Sequence, residues 1–162
     1  MRCSLTWENK SVSKAKWILV ILFLIFLWAG NASATCWVWT SPVNFGNYDV
    51  FSPAPTDSAG TISVFCSSVT FLTGTIGPSP NSGGFDPRQM QLTAGPDLMD
   101  YNLYRNPART QIWGDGSGST YTISGTAPAW TVVNVSVYGR IPPGQDISAG
   151  LYNDTLTVTI IW

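Results

Sequence analysis

Apolar and polar residues alternate with a period of two along most of this chain beyond residue 35, and three stretches show it most clearly. Ile62, Val64 and Cys66 form one set, and Val133, Val135 and Val137 form a second, which turns Asn134 and Ser136 outward. The third is the C-terminal run, where Leu156, Val158, Ile160 and Trp162 share one face while Thr155, Thr157 and Thr159 share the other. Strands are predicted over Cys36–Thr40, Val43–Asp49, Gly60–Ser67, Val69–Ile76, Arg88–Thr93, Leu98–Arg105, Thr120–Ser124, Thr131–Gly139 and Asp154–Trp162. No window shows an apolar repeat near 3.6, and Gly, Pro, Ser, Thr and Asn punctuate the chain at short intervals. Short strands at such spacing predict an all-β sandwich rather than βαβ units. The last strand runs to Trp162 with no turn, cap or polar tail, so it is expected to be held in place by something else.

The first 34 residues follow different rules. Arg2, Lys10, Lys14 and Lys16 precede the apolar run Trp17–Trp28, and Ala32-Ser33-Ala34 has the small-x-small form of a signal peptidase site. Residues 1–34 are therefore expected to be a cleaved secretion signal and 35–162 the exported domain. A retained anchor is disfavoured because the 12-residue run is shorter than the roughly 20 residues that span a bilayer. Thr35, where a lipoprotein would place Gly or Ala before its cysteine, argues against lipidation.

Removing that segment changes the charge balance. Every Lys and the one Glu go with it, leaving Arg88, Arg105, Arg109 and Arg140 against eight Asp, a net charge of −4. Nucleic acid and anionic lipid are poor partners for such a surface. Cys36 and Cys66 are the two cysteines left in a chain bound for an oxidising compartment, where pairing is expected. They lack the CxxC spacing of redox pairs.

Catalytic chemistry is thin. The chain has no His, and beyond residue 34 no Lys or Glu, which removes the usual general base, Schiff-base amine and transition-metal ligand. Asp97 and Asp100 fall in the turn-like "GPDLMD" and are read as caps rather than an acid–base pair. "GDGSGS" at Gly114–Ser119 lacks the ligand alternation and terminal Glu of a calcium loop and is read as a hairpin turn. No catalytic, cofactor or metal residue is assigned, and the chain is not expected to be an enzyme. Tyr101, Tyr104, Arg105, Arg140 and Asp154 are read as packing, pairing or capping groups. Trp37 and Trp39 are expected to be buried, whereas Trp130, after Pro128 in "TAPAWT", is placed in a loop where it could contact sugars or a solid surface.

The blocks "VNFGNYDVFSP", "GTISVFC", "YNLYRNPARTQIWGDG" and "YGRIPPGQDISAGLYNDTLTV" stand in an order that resembles the spore coat protein U family, the subunits of archaic chaperone–usher pili. The resemblance implies an incomplete immunoglobulin-like β-sandwich, completed by a donor strand from a partner. It further implies a periplasmic chaperone, an outer-membrane usher and other pilus subunits as partners, with export through the periplasm to a cell-surface pilus or coat. On that reading Leu156, Val158, Ile160 and Trp162 form the chaperone and donor-strand interface. Stalk subunits of this kind carry a donor segment before the first cysteine, whereas here Thr35 alone separates the expected cleavage site from Cys36. A strand-accepting subunit without its own donor, at a pilus tip or in a coat, is expected. The competing expectation is a self-complete secreted β-sandwich that binds carbohydrate or another surface.

Overall fold

The computed structural model describes residues 33–162, so the expected signal segment lies outside the described residues except for its last two positions. Nine strands run in chain order: β1 Cys36–Ser41, β2 Thr56–Cys66, β3 Thr70–Ile76, β4 Arg88–Leu92, β5 Leu98–Tyr104, β6 Ile123–Ala127, β7 Val132–Ile141, β8 Tyr152–Asn153 and β9 Val158–Ile161. No helix occurs among the described residues. The strands make a larger sheet ordered β1-β2-β7-β5-β4-β8 and a smaller one ordered β6-β3-β9. Their inner faces meet in one core, to which Ile62, Val64, Ile76, Leu103, Trp113 and Val137 contribute buried side chains.

Successive residues along each strand alternate between the inner and outer faces. In β2 the buried Ile62, Val64 and Cys66 point inward, and in β7 Val137 and Ile141 do the same while Asn134 and Ser136 are exposed. Cys36 pairs in register with Cys66, and the two form a disulfide. That bond puts Cys36 on the inner face of β1 and so turns Trp37 and Trp39 outward, because one step along a strand reverses the face. Both indoles are about half exposed, at 51% and 48%. The expectation that they are buried fails for this reason.

Three other expectations shift. Val43–Asp49 is not a strand: Asn44 and Asp49 side chains accept from the backbone N–H of Gly46 and Phe51, and Gly46 sits at φ 69°, so local turns replace a ladder. The strand expected at Thr120–Ser124 begins later, because Thr120 is held in a turn by its hydroxyl, which donates to Ser117 O and accepts from Gly116 N–H. The C-terminal run is two strands rather than one. β8 lies at the edge of the larger sheet beside β4, β9 lies in the smaller sheet beside β3, and residues 154–157 carry the chain from one layer to the other.

A buried cation braces the two layers. Arg88 is fully buried, at 0% exposure, and its guanidinium donates to the carbonyls of Ile76, Gly77 and Trp113 and to Asn102 Oδ1. Ile76 belongs to the smaller sheet, while Arg88 and Asn102 belong to the larger. The charge is thus solvated by peptide dipoles in place of water.

Candidate functional site

The smaller sheet leaves part of the larger one uncovered. After β1 the chain turns inward, and Val43 and Phe45 lie against Gly139 of β7, where a side-chain Cβ would stand 2.6 Å from Val43 Cγ1 and 2.7 Å from Phe45 Cζ. Gly60 of β2 takes the same role beneath Ser41, whose carbonyl oxygen would be 2.6 Å from a Cβ there. These two glycines let residues 41–45 rest directly on the sheet. Opposite them, β9 is hydrogen-bonded to β3 alone among the described strands, so its other edge faces the 41–45 segment without a ladder.

Between those walls lies a slot of about 450 Å³. Its floor is the inner face of the larger sheet, with Ile62, Met90, Tyr101, Leu103 and Val137, and Leu156 and Val158 form its wall on the β9 side. A second, smaller hollow of about 240 Å³ shares Ile62 and is lined by Ile160 together with Val64, Val133 and Trp113. Leu156, Val158 and Ile160 are all half-buried and packed against the core. Trp162 lines neither hollow; it is 54% exposed and its indole N–H donates to Ala34 O at 3.2 Å. The structure therefore brings Leu156 and Val158 to the slot and Ile160 to the second hollow, and leaves Trp162 beside the start of the described chain.

One end of the slot is polar. Asp154 lies where the chain crosses between layers, and its carboxylate accepts from Tyr101 Oη at 2.7 Å and from Thr155 N–H at 2.8 Å. Burial pushes the Tyr101 phenol well above its ordinary range, and the bond to Asp154 and that carboxylate's charge push it further. Burial pulls Arg88 below the usual guanidinium value, against the pull of the nearby Tyr101, Asp154 and Asp86. None of these groups is arranged as an acid–base pair on an open substrate site: the Tyr101 hydroxyl and the Arg88 fork are occupied by the fold itself. The sequence reading gave Tyr101 a packing and hydrogen-bonding role and Asp154 a capping or pairing role, without naming the bond between them. It also missed Arg88, whose signal was its position two residues before Met90 on an inward-facing register.

The other residues read from the sequence are placed as follows. Arg140 grips Asp57 through two bonds, Nε to Oδ1 at 2.7 Å and Nη2 to Oδ2 at 2.8 Å, and holds that carboxyl below the usual range. Arg105 donates to Gln111 and Thr122 and lies 4.7 Å from the centre of the Tyr121 ring. Tyr104 is partly buried, which raises its phenol. In the Gly114–Ser119 turn, Asp115 accepts from the backbone and hydroxyl of Ser117. Asp97 and Asp100 do not cap the turn as expected: Asp97 accepts from Ser148 N–H, and Asp100 lies within β5 and accepts from Gln89 Nε2 of β4. Trp130 is 70% exposed in the loop before β7, as expected.

This architecture is an all-β, immunoglobulin-like sandwich with an open slot beside β9, the last strand of its smaller sheet. The Spore Coat Protein U domain matches residues 25–159, and the chain belongs to that family. Protein U of Myxococcus xanthus is 34% identical over 131 residues, covering 73% of this chain and 70% of that protein. Among solved structures, the chain is similar to one in the chaperone–tip adhesion subunit pre-assembly complex CsuC–CsuE from the archaic chaperone–usher Csu pili of Acinetobacter baumannii. The TM-score is 0.57 at 22% identity, over 80% of this chain. The match spans 40% of that other chain's length.

Proposed function

We propose that this protein is a strand-accepting structural subunit, exported through the periplasm and built into a cell-surface fibre or coat by a chaperone and an outer-membrane usher. The observation that carries this reading is the slot between β9 and residues 41–45, floored by core residues and bounded by an unpaired strand edge. An extended segment laid along β9 would satisfy that edge with main-chain hydrogen bonds and send alternate side chains onto Ile62, Leu103 and Val137. The chaperone would supply the segment first and a neighbouring subunit afterwards.

A partner that binds only the folded form raises apparent stability by mass action, and the gain grows with its concentration. Melting the exported protein with increasing amounts of a cognate chaperone or a donor-segment peptide should raise the midpoint progressively. Val158→Asp should weaken the complex, because it places an unpaired charge in the apolar wall. A cooperatively folded monomer whose midpoint ignores both partners would be a self-complete sandwich, and the strand-accepting reading would be abandoned.

We also place the mature N-terminus at Thr35, on the Ala32-Ser33-Ala34 pattern. Such a subunit would accept a strand without supplying one, which suits a pilus tip or a coat. Mass spectrometry of the exported form decides this. A terminus ten or more residues earlier would restore a donor and make a stalk position fit better.

A further inference from the structure

The outward face of β1, β2 and β7 forms a small lattice set by strand register. Trp37, Phe65 and Val132 make one row, Trp39, Ser63 and Asn134 the next, and Ser41, Thr61 and Ser136 the third. Rows of side chains on one face of a strand repeat at about 7 Å, and neighbouring strands lie about 4.8 Å apart. An aromatic end therefore grades into a hydroxyl and amide end over about 14 Å, two row spacings. Phe65 sits between two indoles, with ring centroids 5.7 Å from Trp37 and 6.0 Å from Trp130. The rings are inclined at 43° and 63°, so they shape a shallow cradle rather than a flat plate.

Trp130 is held there at a conformational cost. Its φ is 56°, in the left-handed region that bulky residues rarely occupy, and its N–H donates to Cys66 O at 2.9 Å. Despite that strain the ring is 70% exposed, so core packing does not account for it. The surrounding chain is also free of charge: residues 33–48, 58–85 and 116–139 contain no Asp, Glu, Lys or Arg. Between the rings the polar groups are neutral. Ser63 Oγ donates to Asn134 Oδ1 at 2.7 Å, a bond that leaves the Asn134 amide NH₂ as a further donor.

We propose that this face is a binding site for a neutral polysaccharide, with Trp37 and Trp130 stacking on the C–H faces of sugar rings and Asn134 bonding to their hydroxyls. A sugar ring presents apolar C–H faces and a hydroxyl rim, which matches rings beside neutral hydroxyl and amide groups. A charged glycan would find no counter-ion in these rows, and the charges further along the same face, Asp57 and Arg140, pair with each other. The site lies on the opposite face of the larger sheet from the slot and does not rest on strand acceptance.

The test is native affinity electrophoresis of the exported protein in gels containing hydroxyethyl-cellulose, laminarin or glucomannan. Mobility should fall as at least one of these neutral polymers is added. Trp37→Ala and Trp130→Gly should bind at least tenfold more weakly, whereas Phe51→Ala, at an exposed residue outside the lattice, should bind as the native chain does. Glycine takes a positive φ without strain, so Trp130→Gly should melt no lower than the native protein. Unchanged mobility in all three polymers would overturn the proposal, as would retention that survives both Trp changes. Loss of a copurifying protein subunit in the Trp variants, without any glycan binding by the native chain, would reassign the face to a protein contact.

Discussion

Tyr101 Oη donates to Asp154 Oδ2 across 2.7 Å, joining the middle of β5 to the point where the chain leaves the larger sheet for the smaller. The bond fixes where the crossover begins and hence where Leu156 and Val158 enter the slot. Tyr101→Phe should cost about 1.5–3 kcal/mol, the range for a hydrogen bond to a charged group, read as a lower denaturation midpoint. A value near zero would mean that solvent replaces the phenol without penalty.

The same bond has a pH signature. Burial and Asp154 raise the folded-state pKa of Tyr101 above its unfolded value, so the folded state favours the neutral phenol. That contribution is complete below the unfolded pKa of about 10 and is lost as pH rises beyond it. The native chain should therefore lose stability above about pH 10 more steeply than Tyr101→Phe. Parallel curves for the two proteins would remove Tyr101 from the account.

Arg88 supplies a second expectation. Its donors are shared among three carbonyls and Asn102, and replacement by Met removes the cation and takes a donor from each of those buried acceptors, of which Asn102 Oδ1 keeps one from Leu103 N–H. The loss should be on the order of 3 kcal/mol or more, since each orphaned polar group costs about 1–3. Arg88→Lys should recover only part of it, because an ammonium cannot reproduce the planar fork. Chemical denaturation of the three proteins ranks them directly, and full recovery by Lys would show that charge alone matters.

Cys36 and Cys66 close a loop with a sequence separation of 30. Replacing both with Ala should cost about 2–5 kcal/mol and loosen the register that turns Trp37 and Trp39 outward. Thiol labelling of unfolded, unreduced protein should find no free thiol among these two. Two titrating thiols would contradict the bridge.

Local alternation was enough to read the all-β class and most strands, because each of those patterns is answered by a single inner face. Trp37 and Trp39 were misplaced because alternation gives the period of a strand and not its phase; the phase comes from Cys66, thirty residues away. The C-terminal run hid its division for a related reason. Leu156, Val158 and Ile160 remain on one apolar series, but the bonds of Asp154 to Tyr101 and Thr155 interrupt the ladder and split β8 from β9. Arg88 was illegible as a core residue because a charged side chain is ordinarily placed outside, and only the convergence of carbonyls from two segments, Ile76–Gly77 and Trp113, with the Asn102 side chain makes it tolerable within. The slot itself depends on glycines whose significance appears once residues 41–45 are seen to cross them.

Those glycines give the last expectation. A Cβ at Gly60 would meet the main chain, Ser41 O at 2.6 Å and Pro42 C at 3.0 Å, whereas at Gly139 it would meet the side chains of Val43 and Phe45. Backbone cannot rotate away, while side-chain ends can shift at smaller cost. Gly60→Ala should therefore destabilise more than Gly139→Ala, by about 1–3 kcal/mol in the range for overpacking. It should also move the 41–45 wall of the slot and weaken the gain in melting temperature produced by a strand-donating partner. Gly139→Ala should spare most of that gain. If both variants melt alike and respond alike to the partner, residues 41–45 are not the wall that sets the width of the slot.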